Sequence, residues 1–336
     1  MPDDAPDAIS ALLDERLIGE QPHLTRDQTV ARTGIDAALA DRLWRALGFV
    51  STADDDPAFT EADVEALALM CGLVSTGVVT EEEAVVLART VGSVMSRLAE
   101  TLSTTMLTAL RDDGERHRGV PRAASPAEEV DLLTSALPLL DGLQHYVYRR
   151  HLAAALVRGL RDTGGAKRTL AVGFVDVAGY TAMSRRIDEN ALVRLVERLE
   201  ERVGDEVNRR GGRVVKTVGD GILFTAPSAA AAAAGILALL DTAGTDDDPS
   251  LHAGLAVGDV VLHQGDVVGS TVNLASRLTD LARPGSLLCD RAAADLLAEV
   301  PGMHLRTLRP QRVRGYEHLV AHVVRRVEGM GAPAYR

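Results

Sequence analysis

Apolar residues recur at helical spacing through the first third of the chain and give way to strand-like runs beyond residue 167. Val64, Leu67, Ala68 and Cys71 follow Thr60-Glu-Ala-Asp63, and Val85, Val86, Ala88, Val91, Met95 and Leu98 follow Thr80-Glu-Glu-Glu83. Each set forms one apolar stripe behind a threonine N-cap with an acidic side chain three residues on. Residues from about 8 to 110 are therefore predicted to be all-α.

The segment from Arg111 to Pro126 is polar, contains Gly and Pro, and lacks periodicity, which predicts a linker or an exposed loop. Helical spacing resumes from Ala127 to Arg161, with a break expected at Pro138, and predicts a connecting helix. From Lys167 the pattern changes. The run TLAVGFVDV ending at Val177 predicts a buried strand, and Leu192, Val193, Leu195, Val196, Leu199 and Val203 an amphipathic helix. RVVKTV and GILFTA flank Gly219-Asp220-Gly221, the signature of a hairpin. An Ala-rich helix from Ala229 to Leu240 follows, then a predicted strand pair, LHAGLAVG and DVVLHQ, a helix from about Ser270 to Leu281, a strand at SLLCD, a short helix and terminal strands. The order β-α-β-β-α-β is ferredoxin-like with additions. The expected class is α+β, with a helical part over 1–112, a linker and connecting helix over 113–166, and a sheet domain over 167–328.

Composition narrows the possibilities. At 336 residues and 46% hydrophobic, the chain has material for two cores. A formal net charge of −12 argues against gripping a phosphate backbone, and 3% aromatic residues leave little for stacking on bases, so no nucleic-acid partner is expected. Cys71 and Cys289 lie in apolar runs with no Cys or His at metal-ligand spacing. The acidic start MPDDAPDAIS is unlike a secretory signal, and Ala229–Leu240 falls short of the ~20 residues that span a bilayer. A cytoplasmic chain without a transmembrane segment is expected.

Three segments carry candidate chemistry. Asp176 closes an apolar strand, where a carboxylate is costly unless a cation or hydrogen-bond donors compensate it; it either caps the next turn or binds metal. Lys216 and Asp220 frame the Gly-Asp-Gly tip, which alone is ordinary turn chemistry. Asp176 and Asp220 on adjacent strand ends suit a pair of Mg²⁺ ions, which prefer oxygen ligands and substrate phosphates. Asn273 and Arg277, four residues apart, share one helix face and form either a solvated stripe or a grip on phosphoryl charge.

VGFVDVAGYT, GGRVVKTVGDGILF and GDVVGSTVNLASRL, in this order, resemble the catalytic domain of class III adenylate cyclases over roughly Lys167 to Val327. That resemblance implies that Asp176, Asp220 and the carbonyl of Val177 hold two divalent cations, Mg²⁺ or Mn²⁺. It implies that Asn273 and Arg277 steady the ribose and the α-phosphate, and that Lys216 and Asp266 read the adenine of ATP. Gly179, Tyr180 and Thr181 would lie against the outer phosphates, and Arg314 resembles a late basic phosphate contact. The implied reaction is attack of the ribose 3′-oxygen on the α-phosphorus, giving cyclic AMP and pyrophosphate, at sites shared by two protomers of a homodimer.

The N-terminal half is less specific. Leu24 to Ile35, Leu43 to Phe49 and Phe59 to Val64 resemble the start of MerR-type regulators and also the helical regulatory domain of pH-responsive mycobacterial-type cyclases. The second reading is preferred, because a cyclase domain follows and basic residues are not clustered. A degenerate nucleotide-binding module and a DNA-binding regulator are the alternatives. His145 and His151, beside Arg149 and Arg150, are candidates for a pH response transmitted to the cyclase.

Overall fold

The computed structural model describes residues 4–49, 53, 55–111, 125–161, 167–244 and 248–327. Two compact units divide after Arg161.

The first unit is all-α: α1 (Asp4–Leu17), α2 (Arg26–Thr33), α3 (Ala37–Leu47), α4 (Glu61–Ser75), α5 (Glu81–Arg111), α6 (Pro126–Ser135) and α7 (Leu137–Arg161). The expected threonine caps are formed. The Thr60 hydroxyl accepts from the Asp63 N–H while the Asp63 carboxylate accepts from the Thr60 N–H, and Thr80 and Glu83 repeat the exchange. Leu39, Leu43, Leu67, Ala84, Val85 and Ala88 make the core of α3, α4 and α5. Gly92 lets α5 press on the end of α3, since a Cβ there would lie 2.2 Å from the Leu47 carbonyl oxygen. The predicted interruption at Pro138 falls earlier, at Ala136, between α6 and α7. Pro138 sits in the first turn of α7, where its missing N–H leaves no helical bond unmade. His145 and His151 are exposed on α7. Most of the polar segment between Arg111 and Pro126 lies outside the described residues.

The second unit carries β1 (Lys167–Val177), α8 (Tyr180–Met183), α9 (Glu189–Arg209), β2 (Arg213–Val218), β3 (Gly221–Ala226), α10 (Ala229–Thr242), β4 (Leu251–His263), β5 (Asp266–Val268), α11 (Ser270–Leu281), β6 (Leu287–Cys289), α12 (Arg291–Leu297), β7 (Met303–Thr307), β8 (Gln311–Val313), β9 (Tyr316–Leu319) and β10 (His322–Arg326). Strands run β2-β3-β1-β4-β6-β10-β7 in one sheet, with β5 on β4, and β8–β9 form a separate hairpin. Within it, β2-β3-β1-β4 with α9 and α10 is the predicted ferredoxin-like core.

Side chains alternate across β1. Ala171, Val175 and Val177 face α9, α10 and α12, while Val172 joins the core under α11. The predicted strand pair after α10 is instead one strand. Gly258-Asp259 is not a turn, because β4 pairs with β1 along eleven residue pairs from Lys167↔Val261 to Val177↔Leu251. The chain turns later, at Gln264 and Gly265, both at positive φ. Gly254 of β4 admits α11 at close range: a Cβ there would meet the Ala275 carbonyl oxygen at 2.3 Å. That contact seats α11 through Ala275 and Thr279, on the side opposite Asn273 and Arg277.

Candidate active site

Asp176 is the penultimate residue of β1, and the β1–β3 register puts Val175 opposite Ile222, so Asp176 lies level with the β2–β3 turn. Gly219 takes φ 65° in that turn and presents Asp220 to the end of β1. At Gly221, a Cβ would be 3.4 Å from Asp176 Oδ1, so the turn and the carboxylate are in contact. Burial, then the hydrogen-bonded and like-charged Asp220, raise the Asp176 carboxyl to about 7, against the pull of the Val177 N–H and with a further push from Asp280. The Val177 N–H donates to Asp176 Oδ1 at 3.0 Å.

Two features here are not apparent in one dimension. His252 pairs with Asp176 across β1 and β4, its Nε2 3.7 Å from Asp176 Oδ2. Burial lowers the imidazole pKa, opposed by Asp220 and Asp280, and Nδ1 is buried with no hydrogen-bond partner. Asp280, one turn beyond Arg277 on α11, accepts from Arg277 Nη1 at 2.8 Å. Only the i+3 spacing in SRLTD could have signalled it; the His252–Asp176 pairing depends on register.

Lys216 sits beside a register shift in β2 and donates to the Asp266 carboxylate at the start of β5. Lys216 and the backbone N–H of Val267 outweigh burial and hold the Asp266 carboxyl below its ordinary range. The Arg213 guanidinium donates to the Gly265 carbonyl at 2.9 Å and ties the start of β2 to the β4–β5 turn. Gly179, at φ 74°, precedes the single turn of α8 that carries Tyr180 and Thr181. Arg314 is exposed at the tip of the β8–β9 hairpin, beside Gly315 at φ 88°.

The structure thus joins Asp176 with Asp220 and Lys216 with Asp266. Among the described residues, no hydrogen bond or ion pair links Asn273, Arg277 or Arg314 to either pair. The carboxylates form a pair and not a cage: no three His, Cys, Asp or Glu side chains converge as a metal site among the described residues. An all-oxygen pair whose members hinder each other's ionisation fits a hard divalent cation completed by substrate oxygens.

The raised Asp176 pKa, set first by burial and then by Asp220, has a thermodynamic consequence. An ordinary Asp titrates near 3.9, so between about pH 4 and pH 7 the folded chain binds more protons at Asp176 than the unfolded chain, and stability falls as pH rises through this window. In chelator, the unfolding temperature of Asp176→Asn is expected to lose this component of the decline between pH 5 and 7.5. Superimposable pH profiles for the two proteins would contradict the assignment.

A family profile described as adenylate cyclase regulatory domain matches residues 4–156. An adenylate cyclase of Streptomyces coelicolor is 40% identical over 299 residues, covering 88% of this chain and 77% of that protein. An adenylate cyclase of Glutamicibacter nicotianae is 34% identical and covers 98% and 86%. A pH-sensitive adenylate cyclase of Mycobacterium tuberculosis is 28% identical and covers 92% and 81%. The chain belongs to the bacterial class III adenylate cyclases, with an adenylate cyclase regulatory domain in its N-terminal half. No helix among the described residues is long and apolar enough to cross a membrane.

Proposed function

We propose that the chain converts ATP to 3′,5′-cyclic AMP and pyrophosphate at two sites shared between the subunits of a homodimer, each using two divalent cations, Mg²⁺ or Mn²⁺. The observation that carries this reading is the Asp176–Asp220 pair, with the Asp176 carboxyl raised to about 7 by burial and its neighbour. Asp176, Asp220 and the Val177 carbonyl would hold the cations. When bound, these ions favour the 3′-alkoxide and balance charge on the phosphoryl oxygens.

The chain's own residues orient the rest. Lys216 donates to adenine N1 and Asp266 accepts from the N6 amino group, a pairing that guanine reverses; their mutual contact already holds an ammonium beside a carboxylate. Gly179, Tyr180 and Thr181 lie along the outer phosphates. Asn273 positions the ribose, and Arg277 and Arg314 meet phosphate charge.

Assembly of two chains is supported by the pairing of Arg277 within one chain, which is with Asp280 and with neither Asp176 nor Asp220 among the described residues. It is supported also by the apolar exposure of α7, where Leu139 is 79% and Leu160 84% exposed. Unpaired Cys71 and Cys289 fit a reducing cytoplasm.

Incubation with ATP and Mn²⁺ tests the function directly: cyclic AMP should form, and absence of product with folded protein would favour a degenerate nucleotide-binding module. Base reading is tested by Lys216→Glu with Asp266→Cys, for which kcat/KM for ATP is expected to fall about a hundredfold or more, as two base hydrogen bonds are lost or opposed. Undiminished use of ATP would remove both residues from base recognition.

A further inference from the structure

Helix α11 covers the sheet over β1, β4 and β6 and ends at Leu281. Beyond its end, the same face of β10 and β7 lies open. Val323 of β10 belongs to the core under α11, so Arg325, two residues on, projects from that face, and Arg306 of β7 stands opposite Val323. Arg283, just past α11, and Arg309, just before β8, close the other sides. These four arginines line one cleft of about 750 Å³ over a floor that includes Leu288 and Val323.

No Asp or Glu lines this cleft, and none of the four guanidiniums has a carboxylate partner among the described residues. Elsewhere in this acidic chain arginines are repeatedly paired, as Arg277 is with Asp280 and Arg291 with Asp295. Four like charges around an apolar floor repel one another, and a compact multivalent anion offsets them together through charge-assisted, forked hydrogen bonds. Thr307 and Gln311 add neutral polar groups to the wall. The volume lies in the small-molecule range of roughly 300–1,000 Å³. None of Asp176, Asp220, Lys216, Asp266, Asn273, Arg277 or Arg314 lines it.

We propose that this cleft, framed by Arg283, Arg306, Arg309 and Arg325, is a second anion site that binds condensed phosphates of the pyrophosphate class, separate from the nucleotide site. The inference stands on the cleft alone and does not depend on the catalytic reading. A single phosphate engages one or two of the guanidiniums; a diphosphate spans the set.

The test is calorimetric titration of the full chain with sodium pyrophosphate, in chelator so that metal-dependent binding at the nucleotide site is suppressed. Arg306→Gln with Arg325→Gln, and separately Arg283→Gln with Arg309→Gln, are each expected to weaken binding about tenfold or more, equivalent to about 1.4 kcal/mol. Arg277→Gln should bind as the parent does, and orthophosphate about tenfold more weakly than pyrophosphate. All four side chains belong to exposed residues, so both pairs should keep the parental unfolding temperature and cyclase rate; if one pair fails to fold, the other carries the measurement. Pyrophosphate that does not bind the parent at millimolar concentration, binding unchanged in a folded pair variant, or binding lost in Arg277→Gln each overturns the site. Orthophosphate binding as tightly as pyrophosphate overturns the condensed-phosphate class.

Discussion

Asp176→Ala and Asp220→Ala are each expected to lower cyclic AMP formation about a thousandfold or more. Charge stabilisation by a bound divalent ion contributes several kcal/mol, and each 1.36 kcal/mol is a factor of ten in rate. The folded state should survive. Asp176 sits at a strand end and is coupled to Asp220 and Asp280 by like charge, so its removal relieves repulsion in the metal-free protein. The unfolding temperature in chelator should therefore hold or rise, while the upward shift on adding Mn²⁺ should disappear. Loss of activity together with loss of fold would show only that the residue is structural. A folded variant with most of its activity would remove the carboxylate pair from catalysis.

Mixing Asp176→Ala with Arg277→Ala should restore activity that neither variant has alone. If the carboxylate pair of one subunit works with the Asn273–Arg277 face of the other, a mixed dimer holds one site with both lesions and one with neither. Random reassortment of equal amounts makes about half the dimers mixed, each half active, so about a quarter of the parental rate is expected. Within one chain, Arg277 rests on Asp280, and among the described residues no hydrogen bond or ion pair links it to Asp176 or Asp220. Recovery should follow subunit exchange after mixing. No recovery, with mixed dimers demonstrated, would mean that each chain completes its own site.

Much of this was legible in the linear pattern because it depends on neighbours a few residues apart. Helix faces, threonine caps and the Gly-Asp-Gly hairpin are set by spacing and by local hydrogen bonds. The Ala-rich stretch forms a buried helix as its composition implies. Asp176 stood out because a carboxylate closing an apolar strand carries an energetic cost that needs a reason, and Asn273 and Arg277 because four-residue spacing puts them on one helix face; Lys216, Asp220 and Asp266 gained meaning from the resemblance to class III cyclases.

Tertiary structure decided the rest, since it turns on register and on which strands become neighbours. Gly258-Asp259 resembled a turn, yet β4 continues through it because β1 supplies hydrogen-bond partners along the whole strand, information held some ninety residues earlier in the chain. The 3.7 Å approach of His252 to Asp176 follows from that same register. Arg283, Arg306, Arg309 and Arg325 are scattered over four segments and have no spacing to recognise; they share a cleft because α11 stops at Leu281 and β7 and β10 continue the sheet beyond it. Periodicity and local hydrogen bonding are properties of the sequence itself, whereas the electrostatic environment of a side chain is set by every element packed around it, and only the folded chain brings those elements together.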